Sequence, residues 1–407
     1  MTRYEIVRLT PYLLIGVKML DFIYNTPTKV FFGKDTHKQV GKIIADYGYK
    51  KIMMQYGKGS IKKSGLYDEI MQSLNEYKIT VVEKGGVEPN PKLSFVRDAV
   101  KIAKEEEIEL ILAVGGGSTL DSCKATALGA KYDGDVWDFN IGKAVAKDAL
   151  PVACILTHSA AGSEMSNSAV LTNSEINMKK GISTEFNRCK FAIMNPELTY
   201  TVSKYQTACG IVDMMTHTME RYFTACPETD ITDRIAEGLL KSIMENAKIV
   251  MENPTDYNAR ANLMWASSLA HNGLTGCGRE NFLAVHQLEH AVSGIYDQVA
   301  HGAGLAVIYP EWGKYVCKYA PARFAQFARR VMDVVESDDL TAGLLGMQKL
   351  REFFNSIGMP KTLAEFGIEK DNSDKLALSC TLNKSRTIKN YIPLGYQECK
   401  EIFEMCY

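Results

Sequence analysis

The stretch Leu110-Ile111-Leu112-Ala113-Val114-Gly115-Gly116-Gly117-Ser118 decides the fold class. Five apolar residues broken off by three glycines read as a buried strand, and the pattern over 119–130 reads as a helix. A strand that runs through a glycine turn into a helix is the opening of an α/β unit. The same grammar recurs on both sides. Residues 51–56 read as a strand ending at Gly57, followed by a helix over 59–77. Strand 79–82, helix 93–104 and strand 151–156 continue the alternation, and Glu105-Glu106-Glu107 reads as a solvated face. Strands separated by helices of this length predict a parallel sheet covered on both faces.

After about residue 203 the pattern changes. Segments 207–224, 229–252, 257–270, 281–294 and 303–319 carry helical spacing with few β-branched runs between them, which predicts an all-helical second half. Asn195-Pro196-Glu197 marks a turn at the boundary. The expected division is an extension outside the core fold over 1–18, an α/β domain over 19–203 and a helical domain over 204–407. Residues 1–18 read as a start-site artefact before Met19, with a weak membrane-associating segment as the less favoured alternative.

Lys+Arg is 47 against Asp+Glu 48, so no broad nucleic-acid footprint is expected. The ten cysteines are scattered without a CxxC and read as reduced thiols of a cytoplasmic protein. No stretch reaches the ~18–20 apolar residues of a membrane span.

Gly115-Gly116-Gly117-Ser118 is a candidate phosphate cradle. Glycines there permit positive φ and close backbone approach. A helix N-terminus offers unpaired N–H groups. Ser118 is the expected cap, with Asp121 completing a box-like start. A tight turn with no ligand is the bland alternative. Neither GxGxxG nor GxxxxGK[ST] is present, so the usual fingerprints do not apply. A second turn, Gly57-Lys58-Gly59-Ser60, and the polar stretch from Thr157 and His158 to Ser163 follow other strands. Ligands of open parallel sheets sit beyond the carboxyl ends of strands, so three such segments point to one crevice. A reader of the ribose 2′-OH would want an acid after the first strand. This chain has Gly57 and Lys58 there, which favours NADP over NAD.

Asp213 and His217 are four residues apart, as are His286 and His290, and His301 follows. On helices such spacing puts each pair on one face. A lone pair of this kind is more often structural. Four of the seven histidines plus a carboxylate in one apolar helical region reverse that preference and suit Fe²⁺ or Zn²⁺. Glu220 and Glu289 read as structural partners, His37 as a surface residue, and His271 as a helix-end cap.

The blocks Phe22 to Val30, Gly115 to Ser118, Thr157 to Met165, Asn195 to Leu198, Gly210 to His217 with Glu220, and His286 to Ala306 carry a family resemblance together. From about residue 19 onwards the chain resembles the iron-containing (group III) alcohol dehydrogenases, and within them the NADPH-dependent butanol dehydrogenases. The resemblance implies a Rossmann-like α/β nucleotide-binding domain and an all-α metal-binding domain of the dehydroquinate synthase-like type. It implies metal ligands Asp213, His217, His286 and His301, with His290 near the nicotinamide and substrate. It implies cofactor contacts from Gly57, Lys58, Gly59, Ser60, Gly116, Gly117, Ser118, Asp121, Thr157, His158 and Leu198, and from Lys180, with Lys179 as an alternative alignment. The first cradle departs from the usual Gly-Gly-Gly-Ser at Lys58. The interval from His290 to His301 is one residue longer than the family pattern, around the loop 296–299.

The implied activity is metal-dependent interconversion of short-chain primary alcohols and aldehydes, in a cytoplasmic homodimer. A glycerol or other polyol dehydrogenase of the same fold is the near alternative. A metal-dependent lyase or hydrolase is the alternative of another class, and it would not need glycine turns at several strand ends.

Overall fold

The computed structural model describes residues 18–224 and 228–407. The expected N-terminal extension, apart from Lys18, lies outside the described residues. The chain divides into two compact units. One holds residues 25–211 and 246–272; the other holds the described residues 18–24, 212–224, 228–245 and 273–407.

The first unit is built on β1 (Lys29–Phe32), β2 (Lys51–Tyr56), β3 (Thr80–Gly85), β4 (Leu110–Gly115), β5 (Val152–Leu156), the hairpin β6 (Ser168–Asn173) and β7 (Met178–Ser183), and β8 (Phe191–Met194). Six of these form one sheet in the order β1-β8-β5-β4-β2-β3, and every pairing in it is parallel. The four strands legible in the sequence are β2 to β5. The two short strands β1 and β8 and the separate antiparallel β6–β7 pair were not anticipated. Four residues are too few to carry a periodic signal, and β1 is only half-buried.

Side chains alternate across the sheet as period two requires. Ile52, Met54, Leu112, Val114, Ile155 and Ile193 pack on one face. Met53, Ile111, Ala113, Cys154, Ala192 and Met194 pack on the other. Both faces are therefore apolar, which is why β4 reads as an unbroken hydrophobic run. The expected helix over 59–77 is two helices, Ser60–Lys63 and Leu66–Glu76. Gly65, at φ 81°, makes the break between them. Of the segments read as helices in the second half, Tyr257–His271 belongs to this unit.

The second unit is helical. Its described helices include Ala284–Ile295, His301–Val316, Pro321–Arg330 and Asp339–Ser356, with Ser373–Cys380 and Tyr396–Glu404 closing the chain. The last four lay beyond the segments read from the sequence. An aromatic cluster packs at the helices His301–Val316 and Pro321–Arg330: Phe223 stacks on Phe324 with ring centroids 4.4 Å apart, and Tyr309 and Trp312 pack edge-on at 5.1 Å. Among the described residues no helix is long and apolar enough to cross a membrane.

Candidate active site

In the α/β unit the parallel pairing brings every strand's carboxyl end to one edge. β2 has β3 on one side and β4 on the other, so the strand order reverses between β2 and β4. A crevice at such a reversal is where open α/β sheets take ligands. Gly57 follows β2 and Gly115 ends β4, so both glycine turns flank it. Thr157 follows β5, and its N–H donates to the Gly115 carbonyl at 3.0 Å. Leu198 lies in the turn after β8.

The glycines at 115–117 are needed for a different reason from the one expected. None has positive φ. A β carbon on Gly116 would lie 3.1 Å from His158 Cβ, and one on Gly117 3.3 Å from Ala161 Cβ. Gly116 and Gly117 are crowded by the loop after β5, and a β carbon on Gly115 would meet the Thr119 side chain of the following helix. His158 is held there by a 3.0 Å contact from Nε2 to the Gln206 carbonyl. Positive φ occurs instead at Gly59 (145°), with open space where a side chain would project.

The expected capping box is absent. The helix Gly117–Ala130 has Gly116 at its N-cap, with no side-chain cap. Asp121 accepts from Ser163 Oγ at 2.8 Å and from the Val170 N–H at 3.0 Å, so both carboxylate oxygens serve the loop and β6. One turn on, Lys124 is fully buried, and its Nζ donates to the carbonyls of Ser163, Ser166 and Ser168 at 2.6–3.1 Å. Lys124 went unnoticed in the sequence, because a lysine inside a helical segment carries no signal of burial.

Lys58 is exposed and pairs with Glu88 at 2.6 Å. Glu88 stands beside the cradle because the N–H groups of Gly86 and Val87 donate to the Tyr56 carbonyl. Lys180 is the third residue of β7, opposite Leu171 of β6. Lys179, next to it and on the other face of the strand, donates to Asn90 Oδ1 at 2.9 Å. Two expectations about histidines change. His37 is buried, not a surface residue: Nε2 contacts Glu69 at 2.7 Å, and Nδ1 accepts from Asn195 at 3.3 Å. His271 is no simple cap, since Nδ1 donates to the Ala161 carbonyl at 2.7 Å and ties down the same loop.

The helical unit gathers the other residues. Asp213 and His217 share a face of the helix Lys204–Tyr222, and His286 and His290 share a face of Ala284–Ile295. His301 opens the helix His301–Val316 after the irregular residues 296–300, where the longer interval was expected to fall. Ligand atoms of Asp213, His286 and His301 lie within 4.8 Å of one another. His286 Nε2 is 3.7 Å and His301 Nε2 3.9 Å from Asp213 Oδ1. His217 adjoins this group, its ring centroid 4.2 Å from that of His286. His290 meets His301 at 5.5 Å between rings.

The tautomers follow from the acceptors. His217 Nδ1 lies 2.9 Å from the Asp213 carbonyl, which only accepts. His286 Nδ1 lies 3.1 Å from Glu220 Oε1, and His301 Nδ1 contacts Glu289 Oε2. All three rings therefore carry hydrogen on Nδ1, which leaves Nε2 as the atom each ring would offer to a metal in its neutral form. Burial opposes ionisation of Asp213, but His217, His286 and His301 hold its carboxyl well below the usual range. Burial and the neighbouring His286 bring His217 down to about 4. Burial works against the charged form of His286 too, yet the carboxylates of Asp213 and Glu220 raise it to about 9.

Asp213 Oδ1 and His286 Nε2 are buried and make no well-aligned hydrogen bond among the described residues, although His217 Nδ1, engaged with the Asp213 carbonyl, also lies 3.0 Å from Asp213 Oδ1. Orphaned polar atoms aimed at one point are costly unless a ligand satisfies them. An imidazole-rich set with one carboxylate fits a divalent transition ion, so the residues present fit a metal.

The family model for iron-containing alcohol dehydrogenase matches residues 27–196, and that of the Fe-containing alcohol dehydrogenase C-terminal domain matches 207–407. The chain belongs to the iron-containing alcohol dehydrogenase family. Among its relatives, NADH-dependent butanol dehydrogenase A of Clostridium acetobutylicum is 41% identical over 96% of this chain and 100% of its own length. NADPH-dependent aldehyde reductase YqhD of Escherichia coli is 34% identical over 86% of this chain and 90% of its own. The crystal structure of NADH-dependent butanol dehydrogenase A from Thermotoga maritima superposes with a TM-score of 0.93, at 38% identity, over 96% of this chain and 100% of that one. The α/β plus helical architecture is thus the one this family of alcohol dehydrogenases shares.

Proposed function

We propose that this chain is a metal-dependent, NADP(H)-preferring alcohol dehydrogenase and aldehyde reductase acting on short-chain primary alcohols and aldehydes of the butanol/butanal type. The reaction class, an NAD(P)H-linked alcohol dehydrogenase or aldehyde reductase, follows from the family and its named relatives. The observation that carries the chemistry is the convergence of the ligand atoms of Asp213, His286 and His301 to within 4.8 Å of one another, with two buried atoms among them that make no well-aligned hydrogen bond.

Asp213, His217, His286 and His301 are the proposed ligands of one divalent ion, Fe²⁺ or Zn²⁺. When bound, the ion supplies Lewis-acid polarisation of a carbonyl oxygen, and the nicotinamide supplies hydride. His290, one turn beyond His286 and partly exposed, is the residue we assign to proton transfer at the substrate oxygen. The turns at Gly57–Ser60 and Gly116–Ser118, with Thr157, His158 and Leu198, are the proposed seat of the nucleotide; Asp121 supports that seat from inside the loop, and Lys180 is the proposed contact at the nicotinamide ribose.

The preference for NADP(H) rests on Lys58, and on the absence of an acid directly after β2. A cytoplasmic homodimer is part of the proposal. Unpaired cysteines among the described residues suit a reducing compartment, and two-fold dimers are the commonest assembly. Sedimentation should give twice the chain mass; a monomer would remove the dimer.

The decisive experiment is oxidation of NADPH and NADH with butanal, without oxygen, on protein stripped of metal and reloaded with Fe²⁺ or Zn²⁺. Metal-dependent turnover that prefers NADPH is expected. Turnover that is indifferent to metal would overturn the ligand assignment. A preference for NADH would overturn the role given to Lys58.

A further inference from the structure

The helical unit shows a repeating arrangement around the cluster. Glu220 lies three residues after His217, and it holds His286 of the helix Ala284–Ile295. Glu289 lies three residues after His286, and it holds His301 at the start of the helix after that. The first two of these helices thus each contribute a candidate ligand together with the carboxylate that orients a ligand on another helix. Glu220 has a second duty, accepting from the backbone N–H groups of Ala284 and His286 at 2.9 and 2.8 Å. Ser293 Oγ donates to Glu289 Oε2 at 3.2 Å.

Glu289 is fully buried. Room for it is made by Gly304, where a β carbon would lie 3.0 Å from both Glu289 Cγ and Oε1. A buried carboxylate is expensive and persists where something compensates it. The charge count supplies the compensation. Asp213, Glu220 and Glu289 are three buried carboxylates, and buried Arg221 beside Glu220 offsets one. With the imidazoles neutral, a divalent ion would balance the other two.

We propose that Glu289 is a positioning residue: it fixes the Nδ1–H tautomer and ring orientation of His301, so that Nε2 faces Asp213, and Gly304 exists to admit it. This rests on the metal reading above. Partners of this kind, one bond removed from a metal, commonly change affinity about 10–100-fold.

The test uses the whole chain, stripped of metal and titrated with Co²⁺ alone. Visible absorption reports the coordination, and competition with a chelator gives the affinity. Glu289→Ala should bind Co²⁺ about 10–100-fold more weakly, with an altered spectrum. Glu289→Gln, whose amide oxygen still accepts from Nδ1–H, should recover most of the affinity. Gly304→Ala keeps the carboxylate but crowds it, and should fall between the two. Wild-type affinity and spectrum in Glu289→Ala would overturn the proposal. If that variant does not fold, Gly304→Ala and Glu289→Gln decide, and Gly304→Ala with unchanged cobalt binding overturns it.

Glu289, His290 and His301 also have ligand atoms within 4.8 Å of one another. Two cobalt ions per chain, one of them lost in Glu289→Ala, would therefore replace a positioning role by direct ligation. Failure of the unmodified chain to bind Co²⁺ would remove the metal reading itself, a result distinct from failure of the variants alone.

Discussion

At the residue scale, chemistry depends on which atom each side chain presents. The three candidate histidine ligands differ in what fixes them: a backbone carbonyl for His217, Glu220 for His286, and Glu289 for His301. His286 lies at the centre, near Asp213 and beside the His217 ring. Replacing it by Ala should empty the site, so that metal content after dialysis falls to near zero and turnover goes with it. Retained metal with full turnover would sink the assignment. At the cradle, Lys58→Asp would set a second acid beside Glu88, next to a bound 2′-phosphate. The affinity ratio of NADPH to NADH should fall about tenfold or more, equivalent to ~1.4 kcal/mol. An unchanged ratio would take Lys58 out of nucleotide selection.

At the scale of elements, the loop after β5 is the part of the α/β unit with the most to hold. Its path is fixed from beneath by Asp121 and Lys124, and from the side by His271. Burial pushes the Asp121 carboxyl up, while Lys124 and the bonds from Ser163 and Val170 work against that shift. Lys124→Met should cost about 3–5 kcal/mol, because it strands the buried acceptors of the loop and removes the nearby positive charge that offsets the burial of Asp121. Amide exchange should accelerate over 163–168 before it does in β4 or β5. Uniform exchange across the unit, with an unchanged melting temperature, would show that the lysine does not anchor the loop. The glycine turn was legible in the sequence as a cradle. Its partner was not, because contact between residues about 40 apart leaves no local pattern.

At the scale of the whole molecule, the helical unit carries a buried ionic knot away from the candidate ligands. Asp233 receives the Arg323 guanidinium through two bonds, one of them 2.6 Å, and lies 2.7 Å from Arg279. Arg323 also covers the Tyr222 ring at 3.8 Å. Asp233→Asn would leave two buried guanidinium groups facing a neutral amide. Unfolding free energy should drop by about 3–5 kcal/mol. Burial opposes ionisation of Asp233, but Arg323 and Arg279 win and lower its pKa. Its contribution is therefore complete above the ordinary carboxylate value of about 3.9 and is lost as pH falls through the lower, folded value. Acid unfolding of the Asn variant should lack that component. Superimposable acid transitions for the two proteins would show the pairing to be unimportant.

The sequence by itself determined the alternating strands β2 to β5, the glycine turns at two of their ends, and the i,i+4 pairs Asp213/His217 and His286/His290. Each of these is a local pattern, set by side-chain periodicity and backbone freedom. Family membership was legible in the same way, because its motifs are contiguous blocks. Only the tertiary structure decided that His37 is buried against Glu69 and Asn195, that Gly116 is needed for His158 and not for φ, and that Lys124 lies beneath the loop. It alone brought Glu289 to His301 and joined Tyr257–His271 to the α/β unit. The physical reason is common to all of these. Burial, and the meeting of polar atoms far apart in the chain, depend on how elements pack, and no window of neighbouring residues records it.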